Sequence, residues 1–280
     1  MTVELASATT PRHTHRPRRF NALDLVAIGF LVALIVAAAA APWLAPSDPH
    51  EQDLVNAFAD PSSAHLLGTD DLGRDNVSRL IHGARTSLLG PAIVVALAVL
   101  IGAPLAIVAA WYGRTVDRLI GRFVDLLLAF PGLLLAALAT ALFDPGLLTV
   151  SVALSIAYLP VITRITRSSA LRERAKPYVA ACQVQGMSVR RICLRHIAPN
   201  IAPVVISQSA VLFGYAIVDV AALSFLGFGV QAPAADWGLM VNSQTAVLSG
   251  EFTTPLLAGA VIVSCVLAVG RVAKTIGDDQ

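Results

Sequence analysis

An all-α integral membrane protein with about six transmembrane helices is the fold class that this sequence predicts, on three observations. Of its 280 residues, 56% are hydrophobic and only 14% charged, where soluble domains carry about a quarter charged residues. Six stretches, near 23–44, 88–111, 119–142, 147–163, 201–226 and 252–272, are apolar over enough length to cross roughly 30 Å of hydrocarbon as helices. The basic residues, finally, are shared very unequally between the segments that join those stretches.

Taken in order, residues 1–20 are rich in Pro, Thr, Arg and His and lack apolar periodicity, so they read as a disordered cytoplasmic tail. Residues 21–45 hold the first span. The run from Ala37 to Ala41 after a basic stretch imitates a cleavable leader, but the apolar run exceeds the ~7–15 residues of such a core, and the helix reads as retained. A hydrophilic extracytoplasmic segment follows over 46–87, and 88–275 holds the five-helix core. Backbone groups in lipid must pair within their own segment, so each span is a helix, with Pro91, Pro104, Pro131 and Pro160 expected as kinks covered by neighbours. The stretch at 147–163 is the shortest of the six.

An even number of spans puts both termini on one side. With that side cytoplasmic, 17 of the 20 Lys and Arg residues lie inside, leaving Arg74, Arg79 and Arg85 outside among acids such as Asp48, Glu51, Asp53, Asp60 and Asp144. Cytoplasmic loops carry the excess of Lys and Arg. The expected topology is therefore multi-pass with both termini cytoplasmic.

Other classes fall away on composition and motif. A net charge of +2 with few aromatics gives no nucleic-acid footprint. Cys182, Cys193 and Cys265 form no C-x-x-C pair and the six histidines are scattered, so neither a disulfide framework nor a metal site is expected. No G-x-x-x-x-G-K-[ST], G-x-S-x-G or H-E-x-x-H occurs, which removes an ATP cradle and the common hydrolase sites. A secondary transporter would need coupling acids or broken helices in corresponding halves, and no internal repeat is visible.

The connection at 164–200 is too long to be a mere joint. It reads as a short helix, a break at Gly186, and a second helix that Ser188 can cap and Pro199 stops, with Ile192, Leu194 and Ile197 offering apolar surface among arginines. This segment resembles the cytoplasmic EAA loop of ABC importer permeases: Ala181, Gly186, His196, Pro199 and Asn200 match, while Ala180 stands where that family has Glu. The resemblance implies a type I ABC importer permease fold whose loop, here Tyr178, Ala181, Gly186, Met187, Arg190, Arg195, His196, Pro199 and Asn200, docks into an ATPase subunit. Any ion pair made by the family's Glu is missing at Ala180.

A second likeness is narrower. Gly68-Thr69-Asp70, Gly73-Arg74-Asp75 and Ser78-Arg79 resemble the extracytoplasmic signature of the dipeptide/oligopeptide/nickel permeases, specifically the C partner of their B and C pair. These residues either cap the bundle or touch substrate. The stretch from Asp125 through Phe130-Pro131-Gly132 and the stretch from Leu223 to Gly238 resemble that family's third and fifth spans. What the family implies is one half of a peptide pathway in a bacterial plasma membrane, noncatalytic and without a cofactor of its own. ATP and Mg would sit on two partner ATPases, beside a second permease of B type and an extracytoplasmic peptide-binding protein. Nickel chelates or glutathione remain alternative cargos. Asp219 lies inside an apolar stretch, where a carboxylate costs ~2.5–3.5 kcal/mol unless it faces a cavity or partner. It lines the pathway with Phe130 and Pro131, or it sits near enough to the outer interface to be solvated.

Overall fold

The computed structural model describes residues 21–277, so the expected tail at 1–20 lies outside the described residues. The chain there is mainly helical, with a long segment of turns at 45–75. Helix α1 (Ala22–Ala39) starts where Asp24 accepts the Asn21 backbone N–H at 3.0 Å, and it breaks at Ala40 before a single turn, α2 (Ala41–Leu44). Residues 45–75 then fold as turns around a 3₁₀ turn, Leu54–Asn56.

Helix α3 (Asn76–Tyr112) has 37 residues, starting twelve earlier than the apolar stretch. At 1.5 Å per residue it measures ~55 Å, more than a bilayer core needs, and its first turns pack under 45–75 as part of a cap. The reason is chemical: Asn76, Ser78 and Arg79 are buried against polar partners in that cap, so hydropathy alone misses a helix that is continuous there.

The stretch expected as the third span is two helices, α4 (Arg114–Leu128) and α5 (Gly132–Leu142), bent by 80°. Pro131, expected as a kink, stands at the break itself; with no N–H to donate, it begins a new helix whose first bond runs from Leu135 N–H to Pro131 C=O at 3.0 Å. Helix α6 (Leu147–Arg174) is long rather than short, continuing through Pro160 and eleven residues past Thr163. The first eleven residues of the expected loop are therefore the end of α6.

After α7 (Pro177–Val184) and the turn at Gly186, α8 (Val189–Ile192) passes through a π-helical turn, Cys193–Ile197, into α9 (Ala198–Phe225). Pro199 does not stop the helix. It falls in the first turn of α9, where a missing N–H and the ring's clash with the preceding turn are absorbed by the wider π turn. Val189–Phe225 thus forms one continuous helical run of 37 residues, apolar enough over part of its length to span a membrane. Ser188 occupies the cap position of α8 but its hydroxyl makes no capping bond. Two short helices, α10 (Trp237–Val241) and α11 (Gln244–Ser249), precede α12 (Thr253–Gly277).

Five described helices are long and apolar enough to cross a membrane, or six when the bent α4–α5 pair is counted as one broken span. The centre is a three-helix core: Val94 and Ala98 of α3, Leu154, Tyr158 and Ile162 of α6, and Leu212, Ala216 and Val220 of α9. One end carries the cap. At the other, the elbow end, the first turn of α1 meets the last turns of α12 through Asp24 and Arg271 at 2.8 Å.

Candidate functional site

At the elbow end, α7 and α8 fold over Trp111 and Ala110 of α3 and Ala170 of α6, burying Val179, Cys182, Ile192 and Ile197 in a small core of their own. Ile192 and Ile197, expected on the surface, are the anchors; Leu194 alone of the three is exposed. The turn between the helices is held by Gly186 N–H to Gln183 C=O at 3.0 Å and Met187 N–H to Cys182 C=O at 3.1 Å, the bonding of a Schellman C-cap. Gly186 has φ +74° with open space around it, so backbone conformation, not room, demands glycine.

A clasp closes the elbow's base. Glu173 is buried, and its Oε1 accepts the Tyr178 hydroxyl at 2.9 Å and the Asn200 amide at 2.9 Å, while Lys176 Nζ lies 2.7 Å from Oε2. The Asn200 amide also donates to the Tyr178 oxygen at 3.1 Å, and the Tyr178 and His196 rings lie 6.2 Å apart. Burial first, and then the Glu173 carboxylate, push the Tyr178 phenol above its ordinary pKa. Sequence reasoning named Tyr178 and Asn200 but missed Glu173 and Lys176. The available signal was that Glu173 is the lone acid of 164–200. Arg174 reaches back to the Ala110 C=O at 2.7 Å and sits over Trp111. Outward, Ala181, Arg190 and Arg195 are exposed with Val184 and Leu194, Ala180 lies among them, and Met187 and His196 are half-buried.

At the cap end, all eight signature residues are buried. Asp70 is the hub: its Oδ1 accepts the N–H groups of Leu72 (2.9 Å) and Arg74 (3.0 Å), and its Oδ2 lies 2.7 Å from Arg74 Nε and 3.3 Å from Arg79 Nε. Thr69 donates to Asn56 C=O at 2.5 Å, Asp75 caps α3 through the Ser78 N–H at 2.8 Å, and Arg79 donates to Pro49 C=O at 3.1 Å. Ser78 Oγ also accepts the Ser47 N–H at 3.1 Å. Gly68 and Gly73 both have positive φ, and a Cβ on Gly73 would fall 1.8 Å from the Asp53 carbonyl. Sequence reasoning also left unassigned the seat of this cap: Asp236 accepts the Ser87 hydroxyl at 3.0 Å, and the Trp237 indole donates to Leu80 C=O at 3.0 Å.

Midway between these ends, Asp219 is half-buried and accepts the Tyr158 hydroxyl at 2.7 Å. Both line a cleft of about 460 Å³ with Phe130, Gly132, Gln208 and Tyr215. The structure therefore brings Asp219 and Phe130 together, with Pro131 at the helix break beside them. Gln208 and Tyr215 were missed, although 208, 212, 215 and 219 follow the i, i+4, i+7, i+11 spacing of one helix face. Among the described residues no cluster of three potential metal ligands occurs.

Residues 102–278 match the family model described as the inner membrane component of binding-protein-dependent transport systems. The chain belongs to this family. The permease also matches, over 19–61, the N-terminal transmembrane domain of oligopeptide transport permease C. It is 35% identical to the dipeptide transport system permease protein DppC of Alkalihalophilus pseudofirmus over 97% of its own length and 90% of that protein's. With the di/tripeptide permease DppC of Pseudomonas aeruginosa it shares 37% identity, covering 89% and 84% of the two chains. The DppC protein of Escherichia coli shares 38% over 87% and 83%. A chain of the MetNI methionine ABC transporter, in inward-facing conformations, superposes with a TM-score of 0.55 at 16% identity, over 71% of this permease and 96% of that chain. That likeness carries the fold. The relatives place the permease among DppC-like members, and they are transport permease subunits rather than enzymes.

Proposed function

We propose that this permease forms half of the translocation pathway of an ATP-driven importer of short peptides. Its companions would be a B-type permease, two ABC ATPases that hold ATP and Mg, and an extracytoplasmic peptide-binding protein. The observation that carries the cargo is the 35% identity with a dipeptide permease across 97% of this chain. The charge asymmetry supports an orientation with the elbow and both termini cytoplasmic and the cap outside.

The elbow and the cleft belong to one element. Because Val189–Phe225 is a single run, a displacement of α8 by an ATPase is a displacement of the helix that carries Asp219, roughly 40 Å further along at 1.5 Å per residue. The clasp of Glu173, Tyr178 and Asn200 ties the same element to the end of α6, whose Tyr158 holds Asp219. Pulling the elbow would therefore move two walls of the cleft as a rigid body. In this reading Asp219 meets the peptide's amino terminus, and Tyr158 holds the carboxylate in place until cargo arrives.

The test is ATPase stimulation in the reconstituted complex by a panel of dipeptides, oligopeptides, glutathione and nickel chelates, each delivered by the binding protein. Dipeptides are expected to stimulate; stimulation by nickel chelates alone would overturn the peptide reading. Asp219→Leu is expected to lower uptake about tenfold or more at normal membrane abundance, the loss of one hydrogen bond to a charged group. Wild-type uptake by that variant removes Asp219 from the pathway.

A further inference from the structure

The midway cleft is elongated, and one polar group along it has no role in the elbow, the cap or the Asp219 contact. Its α9 wall is one helix face bearing Gln208, Leu212, Tyr215 and Asp219. Gln208 is flanked along the chain by Val205, Ile206, Val211 and Leu212, and its side-chain amide has no hydrogen-bond partner among the described residues. Two donors and an acceptor left unpaired in an apolar setting are costly, so a polar group, water or ligand, faces them in the working complex. From Asp219, Tyr215 stands about 6 Å and Gln208 about 16 Å along the helix axis, at 1.5 Å per residue.

An extended chain covers at most ~3.3–3.6 Å per residue. A dipeptide held at Asp219 by its amino terminus therefore ends near Tyr215, and about four or five residues are needed to bring a carboxylate to Gln208. We infer that Gln208 is the far contact of a cleft graded by cargo length: its amide donates to the C-terminal carboxylate of tetra- and pentapeptides, and shorter cargo does not reach it. The inference rests on the reading that Asp219 takes the cargo's amino terminus. Cargo suits the amide better than a side chain of the second permease, because Gln208 and Asp219 line one cleft on one helix face. Polar capacity on that face stands at its two ends, where an extended peptide carries its two charges, with Leu212 and the ring of Tyr215 between them. A few polar groups set in an apolar wall are what fixes a ligand's orientation.

The experiment uses the whole complex in vesicles with its binding protein, and compares uptake of di-, tri-, tetra- and penta-alanine by wild type and Gln208→Leu at equal membrane abundance. The binding protein is the same in both, so the ratio of the two rates at each length isolates the permease. That ratio is expected to stay within about twofold of one for di- and trialanine and to fall about tenfold for tetra- and penta-alanine, the loss of one hydrogen bond to a charged group. Equal loss at all four lengths would mean that Gln208 pairs with the second permease, and no loss at any would mean that cargo does not touch it; either overturns the inference. A wild-type complex that takes up no tetra-alanine leaves the far contact without a cargo and overturns it as well. Asp219→Leu, measured alongside, is expected to lower uptake at every length. Wild-type rates in that variant would remove the anchor and the length reading together, whereas loss there with no length dependence at Gln208 overturns the length reading alone.

Discussion

Gly186→Pro is expected to reduce ATP-driven uptake more than tenfold while the chain still reaches the membrane in normal amount. Gly186 has φ +74° and proline is locked near −65°, so the Schellman turn that joins α7 to α8 cannot form. The N–H that bonds Gln183 disappears as well. Everything that the turn positions, Arg190 and Arg195 included, is displaced from the surface that an ATPase would grip. Gly186→Ala supplies the graded comparison. Nothing lies within 4 Å of the missing Cβ, so alanine meets only the left-handed penalty of about 1–2 kcal/mol and should keep partial activity. The paired measurement is ATP turnover against uptake in the same vesicles: proline should let the two separate, and equal uptake by wild type and Gly186→Pro would remove the turn from the coupling path.

Glu173→Ala is expected to be the second severe change. The carboxylate is buried and serves Tyr178, Asn200 and Lys176 together. Without it the half-buried Tyr178 hydroxyl loses its acceptor, at about 1–3 kcal/mol if left unsatisfied, the exposed Asn200 amide loses one partner, and α7 loses its tie to α6. Hydrogen exchange across 177–197 should rise sharply, with little change at the cap. Uptake should fall about tenfold or more, and Glu173→Gln, which keeps an acceptor oxygen, should be milder. A pH series adds a sign. The Tyr178 phenol is raised above its ordinary 10.0, so the clasp's contribution is complete below pH 10 and is lost as pH climbs through the raised value. Protection of 177–197 should therefore be flat through neutral pH and decline only in strong alkali. Unchanged exchange in Glu173→Ala would sink the clasp.

These residues also mark what can be read from one sequence. Gly186 was legible because a lone glycine between two helical patterns in a long connection has few other meanings. The apolar stretches were legible because lipid imposes a length on them. Asn76–Ser87 was not, since a helix whose polar face is satisfied by a cap leaves no hydropathy signal. Pro199 misled for a related reason: a proline after an amphipathic run stops a helix unless its clash is absorbed, and the π turn at Cys193–Ile197 that absorbs it is a tertiary outcome. Glu173 illustrates the same limit, because its partners Tyr178 and Asn200 are local and distant in sequence respectively, and only folding brings them to one carboxylate. Conversely, the eight signature residues from Gly68 to Arg79 were found by pattern, yet only the structure reveals that every one is buried within the cap.

In the proposed mechanism the elbow's outer surface receives work from an ATPase and α9 delivers it to the cleft. Val184 and Leu194 are 89% and 58% exposed on that surface and neither belongs to the buried core beneath it. Val184→Asp with Leu194→Asp should therefore leave the elbow folded while placing charges where a partner must desolvate them. The most direct measurement is ATP-driven dipeptide uptake by vesicles carrying this double variant, with ATPase retention scored on the same preparation. Loss of both uptake and retention is the predicted result; uptake at the wild-type rate would contradict the account.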